Sequence, residues 1–258
     1  MGRLFDHLAR GYGLARSAAI YHGNPLKRRR ARAFYGRLVR PGDLCFDVGA
    51  HLGDRTAQFL ALGARVVAVE PQPAPFALLR RLYGRNPRVA LIEAALGAAP
   101  GEAELAIDPR NPAVATLSPR WRAQVSRSAR FAGIDWRERR RVSVSTLDAL
   151  IAAHGVPDFC KIDVEGFEAE VLAGLSQPLP ALSFEYVPAA LDGAFAALDR
   201  LAALGPYRFN RSPGESLRFA DEGWRDAAAM AAELGRLDAE AGSGDVYARL
   251  ERERQHRR

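Results

Sequence analysis

The chain is poor in cysteine and almost free of lysine. Its two cysteines, Cys45 and Cys160, each sit in a run that reads as a buried strand, which argues against a disulfide framework and fits a reducing cytoplasm. No apolar run approaches the roughly 20 residues needed to span a bilayer. The N-terminal stretch is broken by Arg3, Asp6, Arg10 and Arg16 and lacks the apolar core of a secretory signal. Asp6, where Ser or Thr would be needed, makes Gly2 a poor myristoylation site. Of 37 basic residues only Lys27 and Lys161 are lysine. A chain that otherwise chooses arginine, yet keeps Lys161 beside Asp163, points to a need for a compact ammonium there.

Acidic charge is nearly absent from one end. Residues 1–40 hold ten Lys or Arg and one acid, a net +9, so with +7 overall the remaining 218 residues carry −2. The basic character belongs to an N-terminal helical extension (1–40) centred on KRRRAR (27–32). Such a run could touch phosphate, an acidic partner or, through residues 1–32, an anionic membrane face; it could equally be a solvated helix face. With 258 residues and 48% hydrophobic content, one α/β domain over 41–251 with small appendages is expected.

Residues 3–20 have amphipathic helical spacing, with Leu4, Leu8, Ala15 and Ala19 near one face. A second helix is expected over 26–39. The chain then alternates: strand 44–48, helix 53–62, strand 65–70, helix 73–85 with proline in its first turn, strand 89–93 and strand 103–107. That is the spacing of parallel βαβ units. Residues 108–141, rich in Pro, Ser and Arg, break the rhythm and read as an insertion over a ligand pocket, partly helical at 119–131. The rhythm resumes with strand 141–145, helix 146–153, strand 158–163, helix 167–173, strand 182–186 and helix 193–203. Segments 207–210 and 245–250 are candidate last strands, an antiparallel pair around a helix at 222–238, and 252–258 is a basic tail.

Chemistry gathers at strand ends. In DVGAHLGD (47–54) a strand ending at Asp47 turns through Gly49 and Gly53 into a helix. Glycine has no Cβ to clash, so the backbone at Gly49, Ala50, His51 and Gly53 can approach a ligand closely. The glycines lie four apart rather than in G-x-G-x-x-G spacing, which suits a ligand with no pyrophosphate to cradle. Glu70 lies 21 positions after Gly49, at the end of the next strand, placed to accept hydrogen bonds from ribose hydroxyls. Pro71 ends that strand and fixes its loop. Ala94 and Ala95 would let an adenine ring lie flat against the backbone, or are plain small-residue packing. The glycine turn and Glu70 together indicate a nucleoside-containing cofactor.

In DFCKIDVEGFE (158–168), Asp163 ends a strand at the same sheet edge as Asp47 and Glu70. It could orient the cofactor, accept a substrate proton, or hold a divalent cation such as Mg2+ with Glu165 and Glu185. Glu165 and Glu168 share a helix-start face; one could be catalytic while the other only begins the helix. The candidate catalytic residues are Asp163, Glu165, Lys161 as support of Asp163, and His51, which could instead cap its turn.

In order, VGAHLG, VEP, AALGAAPGEAEL, VSVSTLDAL, KIDVEGFEAEVLAGL, SFEYVP and GDVYARL make the chain, from about Asp43 to Leu250, resemble the FkbM-type family of S-adenosylmethionine-dependent methyltransferases. The resemblance implies a class I, Rossmann-like α/β fold: a seven-stranded, mostly parallel sheet with its last strand antiparallel and helices on both faces. It implies S-adenosylmethionine as cofactor and methyl transfer, usually to a hydroxyl of a sugar, glycan, glycolipid or natural-product scaffold. By position, Asp47, Gly49 and Gly53 match its glycine-rich motif, Glu70 its ribose acid, and Lys161, Asp163, Glu165 and Glu168 its second signature. Residues 1–40 and most of 108–141 fall outside the match and would choose the acceptor.

Three rival readings are weaker. A nucleic-acid methyltransferase draws on the basic N-terminus, but no N/D-P-P-Y/F tetrad follows strand 158–163. A non-catalytic scaffold is opposed by the full acid cluster, and an NAD-dependent reductase by the missing third glycine. A small-molecule or glycan acceptor rather than nucleic acid is therefore expected, and a homo-oligomer is compatible with the composition.

Overall fold

A computed structural model describes residues 25–251. The expected helix at 3–20, most of the basic extension and the tail at 252–258 lie outside the described residues.

Side-chain alternation builds two cores on one sheet. Strand β1 (Leu44–Val48) is buried at every position, the pattern of a central strand covered on both faces. Its neighbours are β2 (Arg65–Val69), β3 (Val89–Ile92), β7 (Phe159–Ile162), β8 (Ala181–Tyr186), β9 (Tyr207–Pro213) and β10 (Gly244–Leu250), in the order β3-β2-β1-β7-β8-β10-β9. The pairs from β3 to β8 are parallel, and β10 runs antiparallel to both β8 and β9. This is the sheet that the family resemblance implies.

Leu44, Phe46 and Val48 pack on one face with Val67, Ile162 and Phe184. That face is covered by α5 (Leu147–His154), α6 (Glu168–Ala173), α7 (Asp192–Leu204) and α8 (Ala227–Leu234) through Leu150, Leu172, Leu198 and Leu234. Cys45 points the other way and joins Val66, Phe159 and Tyr247. Here α1 (Pro25–Tyr35), α2 (Asp54–Ala61) and α3 (Pro73–Tyr83) contribute Phe34, Phe59 and Leu79. Both cysteines are buried and unpaired. No described helix is long and apolar enough to cross a membrane.

Three expectations fail. The strands expected at 103–107 and 141–145 do not continue the parallel sheet. They are β5 (Gly101–Ile107) and β6 (Glu138–Ser145), which pair antiparallel and, with β4 (Ala95–Leu96), form a separate three-stranded sheet. The Ala99-Pro100-Gly101 turn reverses the chain instead of launching a crossover. Glu102 and Glu104 of β5 then meet Arg141 and Arg139 of β6 across the ladder at 3.5 and 3.3 Å. The helix expected at 222–238 is only Ala227–Leu234. Arg225 is drawn into a bridge with Phe209, and Asp226 caps the helix by accepting from the Ala229 N–H at 2.8 Å. The helix at 26–39 likewise ends at Tyr35. Between β5 and β6, the segment carries α4 (Pro119–Val125), capped by Ser118.

Phe184 is 0% exposed at the centre of the first core. Phe184→Ala should lower stability by about 3–5 kcal/mol, read as a shift of the urea midpoint at unchanged slope. Arg141→Ala, on the exposed face of β6, should stay within about 0.5 kcal/mol.

Candidate active site

The carboxyl ends of β1, β2 and β7 converge. After β1 the chain turns left-handed at Gly49 (φ 82°) and again at His51 (φ 46°) before α2. The turn has no spare room: a Cβ on Gly49 would lie 1.8 Å from the Asp163 carbonyl oxygen. The Gly49 and Ala50 N–H groups both donate to the Val69 carbonyl at 2.9 Å. Glu70 ties the turn to β2. Its Oε2 accepts from the His51 N–H at 2.9 Å, and its Oε1 from the Gln72 N–H at 2.8 Å. Each oxygen keeps a lone pair for a further donor. Burial pushes Glu70 up to about 7 against these hydrogen bonds.

A cavity of about 540 Å³ opens beside this turn. Gly49, His51, Glu70, Pro71, Ala94, Ala95, Asp163 and Glu165 line it, over apolar groups such as Val69, Leu96 and Phe167. Ala113, Ala115 and Leu117, from the segment between β5 and β6, form another wall. Two bonds hold that wall: Gln72 Nε2 donates to the Pro112 carbonyl at 3.0 Å, and Thr116 Oγ1 to the Glu165 carbonyl at 2.6 Å. A second cavity, about 600 Å³, shares Gly49, His51, Asp163 and Glu165 and adds Asp47, Ala50, Arg55 and Glu215. Gly53 lines neither; a Cβ there would meet Leu79 and Tyr83 at 2.8 Å, so it serves the close packing of α2 on α3.

Charge on one sheet face organises the rim. Lys161 is 1% exposed, and its Nζ donates to Asp245 Oδ1 at 2.8 Å and Asp163 Oδ2 at 3.1 Å. Burial pulls the ammonium down, but the two carboxylates outweigh it and hold Lys161 well above its usual value. Asp47 accepts from Thr56 Oγ1 at 2.6 Å, and burial raises it to about 6. Carboxylate oxygens of Asp163, Glu165 and Glu185 lie within 4.8 Å of one another. Burial, reinforced by the neighbouring acids, holds Glu165 and Glu185 well above the usual carboxylate range. Glu168 stands apart: its Oε1 accepts from the N–H groups of Val164 and Gly166 at 3.2 Å, bracing the loop. His51 is driven down to about 4 by burial and is neutral near pH 7.

The family model described as Methyltransferase FkbM domain matches residues 47–192, more than half of the chain. The chain belongs to the FkbM methyltransferase family. It is therefore an S-adenosylmethionine-dependent methyltransferase. Among solved structures, a TehB-like SAM-dependent methyltransferase from Corynebacterium glutamicum ATCC 13032 has a TM-score of 0.51 at 10% identity, covering 95% of this chain and 99% of that one. A precorrin-6Y C5,15-methyltransferase from Geobacter metallireducens GS-15 covers 86% of each chain at 15% identity and a TM-score of 0.46. An O-methyltransferase from Bacillus cereus, solved in complex with SAH, covers 93% of this chain and 90% of its own at 11% identity and a TM-score of 0.45. These likenesses concern the fold. No curated protein matches the chain in sequence.

The donor set of this FkbM-domain enzyme fits its cofactor. A buried carboxylate with free lone pairs, a Cβ-free turn and an apolar slot of small residues suit the ribose, the backbone contacts and the base of an adenosyl group. Sequence reasoning missed Asp245, Arg55 and Thr116. Asp245 lies 84 residues from Lys161, and no local pattern signals the pairing.

Asp47, Glu70 and Glu168 all bind their protons more tightly in the folded chain. Folding therefore takes up protons between about pH 4 and 7, and stability from these groups is full below their unfolded values and lost as pH rises through about 7. Glu70→Gln should gain on the wild type by about 1–3 kcal/mol between pH 5 and 8 in ligand-free urea unfolding. A difference that stays flat with pH would contradict the assignment.

Proposed function

We propose that the enzyme methylates a hydroxyl oxygen of a sugar, glycan, glycolipid or natural-product scaffold. The carrying observation is the meeting of Asp163, Glu165 and Glu185 at the cavity rim, with oxygens within 4.8 Å. When bound, S-adenosylmethionine supplies a methyl group already activated for transfer to a nucleophile. An alcohol is a poor nucleophile while protonated, so the protein's task is to remove that proton and hold the oxygen in line.

Glu165 is the proposed general base: its carboxylate lines both cavities beside Asp163, and burial with the neighbouring acids raises its proton affinity above that of an ordinary carboxylate. Asp163, held by Lys161, orients the oxygen. The neutral His51 is too weak a base for the task, and its backbone N–H instead fixes Glu70. Glu70 would bind the ribose hydroxyls, Gly49 and Ala50 the cofactor's backbone-facing edge, and Ala94 and Ala95 its adenine. Asp47 and Arg55 would flank the amino-acid end. The rim acids would repel the phosphates of a nucleic acid, which disfavours that acceptor class. The triad also has the spacing for a divalent cation such as Mg2+; loss of turnover on chelation, restored by added Mg2+, would favour that second reading.

Glu70→Ala should weaken S-adenosylmethionine binding at least tenfold by calorimetry, through loss of charge-assisted bonds to the ribose. Unchanged affinity would remove Glu70 from the ribose site.

Glu165→Gln should keep that affinity but lower turnover by about 10²–10⁴. With a 13C-methyl-labelled cofactor and an extract of hydroxyl-bearing acceptors, the new methyl should appear bonded to oxygen by NMR. A methyl on nitrogen or carbon would overturn the reading.

A further inference from the structure

The loop after β7 is a wall between two spaces. Glu165 and Phe167 line the cofactor-side cavity, whereas Gly166 and Glu168 line a third cavity of about 620 Å³. Glu185 lines this third cavity too, yet one of its oxygens lies within 4.8 Å of Asp163 and Glu165. Glu185 therefore belongs both to the lining of the third cavity and to the acid cluster at the rim.

Two residues that line it each carry a buried polar atom with no hydrogen-bond partner. Trp121, on α4, is 3% exposed, and its Nε1 is buried with no hydrogen-bond acceptor. Glu185 Oε2 is buried with no donor. Such groups cost free energy unless something else satisfies them. The neighbouring Trp136 shows the contrast, since its Nε1 donates to the Val114 carbonyl at 2.8 Å. The Trp121 ring is held by edge contacts to Phe131 and Trp136. It also sits so close to Gly166 that a Cβ there would lie 2.1 Å from it.

Charge at the mouth limits what can enter. Arg120 is committed to Asp192, which also accepts from Gln124 Nε2 at 2.7 Å. The remaining charged groups in the lining, Glu168, Glu170 and Glu185, are acidic. The lining therefore disfavours anions, and two of its residues carry one unpaired donor and one unpaired acceptor.

We propose that this third cavity is the acceptor subsite and that it takes a neutral polyol, such as a non-phosphorylated sugar ring. One hydroxyl oxygen accepts from Trp121 Nε1 and another hydroxyl donates to Glu185, bringing the ring to the Glu165 edge. The assignment rests on the O-methyltransferase reading. Trp121 is a substrate-positioning residue in it, supplied by the segment between β5 and β6.

Saturation-transfer NMR on the full chain with S-adenosylhomocysteine tests it, using methyl glucoside, mannoside and rhamnoside as probes and glucose 6-phosphate as the anionic comparison. At least one neutral glycoside should bind, and Trp121→Phe and Glu185→Gln should each weaken it about tenfold. Trp121→Phe should keep its S-adenosylhomocysteine affinity. Equal glycoside binding by folded variants, binding of the phosphorylated sugar alone, or no glycoside binding would each overturn the subsite. Wild-type protein that fails to bind S-adenosylmethionine would instead overturn the methyltransferase reading itself. Should Trp121→Phe not fold, the Glu185→Gln comparison decides.

Discussion

The buried ammonium of Lys161 is the constraint on which the site depends. It sits at a central strand, 1% exposed, between a carboxylate that faces the cavities and one that does not. Its removal would leave Asp163 and Asp245 without the ammonium they share, a change typically worth about 3–5 kcal/mol when a buried pair is broken. The clamp joins β7 to the antiparallel β10 and fixes the point where the acidic loop begins. An arginine fork is larger and planar, which explains why a chain so rich in arginine keeps lysine here.

The loops around this clamp are under conformational load. His51 and Glu165 both adopt left-handed backbone without being glycine, at φ 46° and 53°. Each such residue costs on the order of 1–3 kcal/mol and persists only where surrounding contacts over-determine it. The contacts are visible. Glu70 holds the His51 N–H, Thr116 holds the Glu165 carbonyl, and Glu168 holds the N–H groups on either side of Glu165. Both residues line the two cavities that Asp163 also lines.

Polar groups at the carboxyl ends follow from strand alternation. Asp47, Lys161, Glu185 and Asp245 occupy the sheet face opposite to Phe46, Ile162, Phe184 and Val246. Toward the middle of the strands the same face is apolar, with Cys45 and Phe159 packed against α1 and α2. One pleat thus carries a hydrophobic core along its length and a reacting surface at its end, which is why ligands of open α/β sheets collect there.

Local pattern sufficed for much of this protein. The strand at Leu44–Val48, the glycine turn, Glu70 at its spacing and the acids near 163 follow from short-range sequence, because strand periodicity and turn chemistry act over a few residues. The helix bounds at 227–234 and the small sheet did not follow, since a strand's partner is chosen by cross-strand contacts rather than by its own sequence. The same limit applies to the site. Sequence alone indicated a nucleoside-containing cofactor and placed clustered acids near the strand ends. Only the tertiary structure decided that Lys161 is shared with Asp245, that Glu168 braces a loop while Glu185 reaches the rim, and that Trp121 closes a separate cavity. These are contacts between distant segments, and burial and packing, not local propensity, bring them together.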